Sequence, residues 1–491
     1  MSGCHQIRKQ LIAAIFAAGH LVGGAVAHAQ LSPNETPLSW CDARAVSNPG
    51  WSLRLASTRE YVPGGTQQRP VDDRRAVRNS ELGDGQPADP TGEGNRESTG
   101  APGQADRPSL LSDGSGTTWN DCALGCTYDN GACSPNGRVW FRAEYLLWWT
   151  KSTEVPTLVT TSPDGTPQPQ AGVLGQTGTD VLFSNGAVNP GLRSGGRFNL
   201  GYWFCPRCQE NGIEASSLFL ANRVVGFDVA SGGSPILAQP FFNTQTGLQD
   251  SLVVAYPGVN TGSVNVTVAS ALLSSDLVWR HAMVREECYR LDFLAGYRYA
   301  RFNEDLVSTT STTSYGDTSG LVPTGTMINA TDRFTARNDF NGGELGVATQ
   351  TDSGRWTLNL LAKAAIGNTR SRVNVNGTTV TAVPQQAIVT NTGGLYALPT
   401  NIGDYTQNHI SVIPELGATL DFRLTGRLKL SFGYTFLYWS RVARPGNLID
   451  PNINPTQLPP GQLSGMPAPQ LKFVPTDFWA QGLNLGLEYR F

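Results

Sequence analysis

The sequence predicts an all-β fold, a closed antiparallel transmembrane β-barrel of about ten strands preceded by a disordered N-terminal segment. Three observations predict it. Segments of nine to sixteen residues alternate apolar and polar side chains with period two, and the linkers between them alternate between long and very short. The chain then ends on one such segment, with Phe491 as its last residue.

Composition points the same way. Gly 55 and Pro 31 punctuate a chain of 491 residues in which 15% are charged and Met numbers 4. Stretches rich in Thr, Asn, Gly and Ser separate segments rich in Tyr, Trp, Phe, Leu and Val, and such side chains suit a pleated surface. A net charge of -3 predicts neither a nucleic-acid partner nor a protein drawn to anionic membranes.

Residues 1–29 read as a secretory signal peptide. Arg8 and Lys9 supply the positive start, Leu11 to Val26 the apolar stretch, and Ala27-His28-Ala29 the small-x-small site before Gln30. The apolar run is shorter than the ~20 residues a spanning helix needs and carries His20. No later stretch is apolar enough to span as a helix, so membrane residence requires strands.

Residues 30–137 show no periodicity. Gly64 to Gly116 is Gly, Pro, Ser, Asp and Arg with few aromatics, which cannot bury enough apolar surface to fold alone. This is expected to be a disordered periplasmic segment, with contact to the cell wall as its functional reading. Its cysteine-containing part, Cys122, Cys126 and Cys133, is read as structural bridges.

The barrel is expected over residues 138–491. In Val139–Thr150 every odd position is apolar, while Arg142 and Glu144 share the even face. One face suits lipid and the other water. The pattern recurs at 197–205, 287–302, 355–366, 410–424 and 427–442, with weaker segments near 213–222, 271–284 and 340–350. Most reach the ~9–11 residues of a tilted membrane strand rather than the ~5–6 of a soluble one. Long linkers cover roughly 151–196, 223–270, 303–339, 367–409 and 443–477, and tight ones lie at 206–212, 285–286, 351–354 and 425–426. If the first strand runs outward, every long loop falls outside and both termini fall in the periplasm. Twelve strands, with one hairpin hidden in a long loop, is the alternative count.

The last strand runs from Phe478 to Phe491, with Tyr489, Leu487, Leu485 and Leu483 sharing the face of Phe491. A terminal aromatic closing an alternating strand resembles the signal read by barrel-assembly machinery, here carried by Tyr489 and Phe491. Several further blocks occur in order: Arg142-Ala-Glu-Tyr-Leu-Leu-Trp-Trp, Pro156-Thr-Leu-Val-Thr-Thr-Ser, Arg193-Ser-Gly-Gly-Arg-Phe-Asn-Leu-Gly-Tyr-Trp, Leu294-Ala-Gly-Tyr-Arg-Tyr, Asp339-Phe-Asn-Gly-Gly-Glu-Leu-Gly and Gln481-Gly-Leu-Asn-Leu-Gly-Leu-Glu. Together they resemble the putative β-barrel porin-7 family over about Arg138 to Phe491. The resemblance implies an outer-membrane barrel; it brings no catalytic or ligand residues with it.

Charges on the polar faces are expected to line the lumen, because an Arg or Lys facing lipid at midplane costs ~2–4 kcal/mol. These are Arg142 and Glu144, Arg197, then Arg290, Asp292 and Arg298, Lys363, then Glu415, Asp421 and Arg423, Lys429, and finally Glu488 and Arg490. Ten strands lined by balanced charge predict a narrow or plugged lumen, since only 16–18 strands leave a wide aqueous channel. Trp148, Trp149, Tyr297, Tyr299, Tyr438, Trp439 and Trp479 crowd strand ends and read as an interfacial aromatic girdle.

Evidence for an enzyme is thin. There is no nucleophile elbow, phosphate loop or zinc helix motif, and the two histidines after the leader, His281 and His409, lie on predicted strands. Cys205-Pro-Arg-Cys208 reads as a local disulfide or a pair of thiols, lacking the βαβ context of a redox motif and a second ligand pair for zinc. No enzymatic activity, metal or cofactor is expected. The functional expectation is a porin-like barrel with passive solute passage; the alternative is a structural or display barrel acting through its loops. Its partners are expected to be outer-membrane lipid and the assembly machinery.

Overall fold

The computed structural model describes residues 137–491 apart from 185, 189, 206–207, 287 and 316–321. The expected leader and the segment at 30–136 lie outside the described residues. Ten long strands form one closed ring: β1 Val139–Thr150, β2 Leu192–Trp203, β3 Asn211–Ser231, β4 Asn260–Arg285, β5 Tyr289–Ser314, β6 Met327–Ser353, β7 Trp356–Ala382, β8 Gly403–Arg423, β9 Leu428–Val442 and β10 Thr476–Arg490. Each pairs antiparallel with its neighbour in sequence, including β6 with β7. The ring closes where β10 meets β1, with Tyr489 opposite Phe141 and Leu483 opposite Leu147. Closure leaves no sheet edge within the apolar band, the condition for strands to cross hydrocarbon.

Four tight turns join strands at one end, at 204–210, 286–288, 354–355 and 424–427, while five long connections join them at the other. Both ends of the barrel chain lie at the short-turn end. The period-two pattern holds throughout: even positions of β1, β4, β5, β6 and β10 point inward, as do odd positions of β2, β7, β8 and β9.

The strands run further than the sequence pattern indicated. Much of the linkers expected at 223–270, 303–339 and 367–409 is strand, and β4 to β7 reach 26 or 27 residues. The reason is an inversion of the faces. Near the short turns apolar side chains face out, as Leu277 and Tyr297 do, and charges face in. Further along, Val264, Val266, Val373 and Val375 face in and are buried, while Asn265, Arg372, Asn374 and Asn376 face out. A pattern built for lipid becomes one built for water. The outward ion pairs Arg301–Asp339 and Arg333–Asp305 mark the far side of that change, since charges on the outer face of the wall do not sit in hydrocarbon.

The wall is uneven. β1 and β2 have 12 residues and β9 and β10 have 15, less than β4 to β7. Over the low side the long connections fold back as a cap. Its sheet takes Val159–Ser162 and Asp180–Phe183 from the first connection, Ile236–Asn243 and Leu248–Ala255 from the second, and Asn452–Ile453 from the fifth. These extra strands form no part of the ring, so the count is ten and not twelve. Leu158, Leu237 and Phe241 of the cap pack on the inward Val264, Leu306, Phe334 and Val375 of the tall wall. Burial of a side chain of this size is worth ~1.5–3 kcal/mol, which is what holds the connections inside the mouth.

Candidate functional site

From the short-turn end the lumen has three levels. The first is a polar cavity of about 1560 Å³ lined by residues from the turns and the lower strand faces, among them Arg138, Arg142, Glu214, Arg280, Arg423 and Lys429.

The second level is a network of buried charge. Arg142 Nη2 lies 2.5 Å from Glu488 Oε2 and 2.9 Å from Asp421 Oδ2, and Arg490 Nε sits 2.9 Å from Glu488 Oε1. Lys429 Nζ is 3.9 Å from both Asp421 and Glu488. Higher up, Glu415 draws cations from three strands: Arg197 Nη2 at 3.1 Å, Arg298 Nη2 at 2.5 Å and Lys363 Nζ at 3.9 Å. Arg298 also reaches Glu344 at 2.7 Å, and Glu144 stands 3.6 Å from Arg197. On the β3–β5 side Arg280 bridges Glu214 and Asp292, each at 2.6 Å, and Arg290 pairs with Asp292 at 2.7 Å while lying over the Trp203 ring. All thirteen expected lumen charges point inward. Arg423 lines the cavity. Asp276 and Arg280 were not singled out from sequence; they lie on the weakly patterned 271–284 stretch, where Ser274 and Ser275 blur the alternation.

Above the charges, an apolar layer crosses the lumen. Every strand except β2 contributes, with Trp148, Leu220, Phe302, Phe340, Trp439 and Phe478 at its centre. Phe302 on β5 and Phe478 on β10 come from diametrically opposite strands, yet their ring centroids are 4.1 Å apart. Trp148 donates from Nε1 to Asn484 Oδ1 at 2.7 Å, and Trp439 from Nε1 to Thr369 Oγ1 at 3.0 Å. These two tryptophans correct the expected girdle: both are fully buried in the lumen, not set against lipid. Their segments are apolar on both faces near the strand top, so alternation carries no sign there. Trp149, Tyr297, Tyr299, Tyr438 and Trp479 do face outward.

A buried ion pair seals the layer from above. Arg444, just past β9, holds Glu304 of β5 at 2.6 Å and 2.7 Å and donates to the Ser152 carbonyl at 2.6 Å, tying the first and fifth connections to the wall. Asp332 pins the fourth: its carboxylate accepts from the amides of Leu395, Tyr396 and Ala397 at 3.1, 3.1 and 2.7 Å. Burial pushes this carboxyl up to about 6, with the three amides pulling the other way.

His281 faces outward beside Trp279, its Nδ1 2.9 Å from Asn211 Oδ1. His409 Nε2 is 3.1 Å from Gln407 Oε1, and its ring centroid lies 6.4 Å from that of Phe473. The Cys208 amide donates to Cys205 Sγ at 3.3 Å within the turn after β2. Among the described residues no group of three or more His, Cys, Asp or Glu is placed to hold a metal.

Several solved barrels resemble the fold. The outer membrane protease OmpT from Escherichia coli matches at a TM-score of 0.34 and 10% identity, over 74% of this chain and 99% of its own. The TodX deltaS2S3 mutant monoaromatic hydrocarbon channel matches at 0.20 and 9%, over 72% and 90%. The Ralstonia pickettii toluene transporter TbuX matches at 0.13 and 8%, over 72% and 90%. At these values the likeness says nothing of chemistry. No curated protein sequence matches the chain. The model of one family, described as putative beta barrel porin-7, matches residues 140–491, the whole ring and its cap. A closed ten-stranded outer-membrane barrel with this sequence belongs to the putative beta barrel porin-7 family.

Proposed function

We propose that this barrel is a closed outer-membrane scaffold that presents its folded cap at the cell surface, and not an open diffusion pore or an enzyme. In this reading the short turns and both ends of the barrel chain face the periplasm, and the long connections face outward. Trp149, Tyr297, Tyr299, Tyr438 and Trp479 then sit against lipid as a girdle, and Tyr489 and Phe491 present the outward face of the closing strand to the assembly machinery. The observation that carries the reading is the Phe302–Phe478 contact at 4.1 Å across the full width of the ring. An open channel has no room for it.

Purified, folded protein in planar bilayers is expected to give no single-channel steps. Stable steps at modest voltage would overturn the closed reading. They would favour the second one, passive solute passage, for which the polar cavity of about 1560 Å³ is the supporting observation. Passage requires the apolar layer and the cap to move aside together. Cell-surface binding or adhesion lost on deleting cap residues 236–255, with the heat-modifiable gel shift unchanged, is the expected positive result for a display role.

A further inference from the structure

Arginines crowd the outer wall just past the apolar band. The outward residues of β7 are apolar from Trp356 to Ile366, within the ~9–11 residues a tilted strand needs to cross hydrocarbon. Asn368, Arg370 and Arg372 follow on the same face, all exposed. On β5 the outward Tyr297 and Tyr299 give way to Arg301. In register, Arg301, Asp339 and Arg370 form one row across β5, β6 and β7, and Asn303, Arg337 and Arg372 form the next. Four arginines thus gather where the wall leaves the lipid, on a chain whose net charge is -3.

Acids within these rows are too few to match them. Asp339 is already shared: Arg301 Nε lies 2.7 Å from its Oδ1, Arg337 Nε lies 2.9 Å from its Oδ2, and the Tyr299 hydroxyl donates to Oδ1 at 2.9 Å. Further out, Arg333 and Asp305 satisfy each other through hydrogen bonds of 3.0 and 2.8 Å. Among the described residues neither Arg370 nor Arg372 is in an ion pair. On β8 they face Asn408 and Thr406, and Asp404 beyond them accepts from Asn374 Nδ2 at 2.8 Å. Arg337 and Arg372 stand directly opposite each other in register. Like charges so placed, with β-carbons ~4.5–5.5 Å apart, destabilise a sheet unless an anion joins them.

We propose that this face binds a phosphate monoester on the headgroup of an outer-leaflet lipid. Arg370 and Arg372 are its main donors, and Asp339 holds Arg301 and Arg337 beside them. The inference rests on the reading that the long connections face outward. A phosphate monoester carries about -1.5 to -2 charges and three acceptor oxygens, which guanidinium forks pair in two-pronged bonds. Four arginines against one carboxylate leave three positive charges, enough for one such dianion. Below the arginines, Ile366 of β7 and Ile410 of β8 are 61% and 71% exposed and offer a floor for acyl chains. A free phosphate ion makes no use of that floor, so the lipid is the source.

The test uses the full chain refolded into non-ionic detergent, free of cellular lipid. Native mass spectrometry titrates it with diphosphorylated lipid A, the same lipid stripped of phosphate, phosphatidylglycerol and inorganic phosphate. One diphosphorylated lipid A is expected to bind per chain, and loss of its phosphates should weaken binding at least tenfold. Arg370→Ala with Arg372→Ala should weaken it as much. Arg355→Ala with Arg427→Ala, which removes two exposed arginines at the short-turn end, should not. Both double variants should keep the parent's heat-modifiable gel shift; if the first loses it, Arg370→Gln with Arg372→Gln carries the test. Equal binding without phosphates, or equal loss in both double variants, would overturn the proposal. So would phosphatidylglycerol or inorganic phosphate binding as tightly as the diphosphorylated lipid. An epitope inserted between Gln386 and Ala387, in the exposed fourth long connection, tests the outward reading separately. Binding by refolded protein with the epitope hidden on intact cells keeps the arginine site but overturns the outer leaflet as its source of lipid. A visible epitope without binding overturns the site alone.

Discussion

Arg197 on β2 places Nη2 3.1 Å from Glu415 Oε1 on β8, an ion pair that crosses the lumen rather than running along the wall. Glu415 is almost wholly buried and is shared with Arg298 and Lys363. Removing its charge takes from these three cations the carboxylate they share, leaving Arg298 and Lys363 to Glu344 and Asp276 and Arg197 to Glu144 alone. Glu415→Gln, which keeps the volume, is expected to destabilise the barrel by ~3–5 kcal/mol. Arg333→Ala, which breaks the exposed pair with Asp305, should cost ~1 kcal/mol or less. The temperature at which each variant loses its heat-modifiable gel shift compares the two. Equal shifts would mean that the network is hydrated and not structural.

The apolar layer makes a different prediction. Phe302→Ala combined with Phe478→Ala removes the contact across the ring, and each truncation should cost ~3–5 kcal/mol. Adding Arg444→Ala releases the cap from Glu304. The triple variant, if still heat-modifiable, is expected to show brief conductance steps in planar bilayers where the parent shows none. A folded triple variant that stays silent would place the seal in the cap alone.

Asp332 gives a pH dependence with a definite sign. Its carboxyl is raised from 3.8 to about 6 in the folded protein, mainly by burial, so between those values the folded state binds more protons than the unfolded chain. Its contribution to stability is therefore full below about pH 4 and is lost as pH rises through about 6. Asp332→Asn is expected to flatten this part of the profile of melting temperature against pH, and to speed amide exchange at Leu395 and Tyr396, whose amides Asp332 accepts. A parent profile rising from pH 4 to 6, with the variant parallel to it, would contradict the assignment.

Phe491 and Tyr489 pack edge to face at 4.9 Å on the outward side of the closing strand. Deleting Phe491 removes that surface without touching the lumen. The expected outcome is a severalfold fall in outer-membrane yield with an unchanged melting temperature for the protein that does assemble. Unaltered yield would argue that assembly does not read this terminus.

The ring is legible in the sequence because a membrane imposes period-two alternation on any strand that crosses it. Val139–Thr150 and Leu428–Val442 were legible almost to the residue for that reason. Where β4 to β7 leave the membrane the constraint reverses sign. Val264 or Val373 facing inward then looks, in a Thr- and Asn-rich context, like part of a loop.

Sequence alone also gave the inward side of most lumen charges, Asp276 and Arg280 apart, since Arg142, Arg298 and Glu415 have nowhere else to go when the opposite face is apolar. It determined the closing strand on the same physical ground, while the choice of ten strands over twelve came from the ring and its separate cap. Tertiary structure decided what fills the interior. Trp148 and Trp439 occupy positions where both faces are apolar, and only the ring's closure shows which face is the lumen. Phe302 meets Phe478 because ten strands bring opposite walls within reach of two aromatic side chains, and no local pattern records that distance. Whether the lumen is open depends on contacts between residues far apart in sequence, and those contacts exist only in the closed ring.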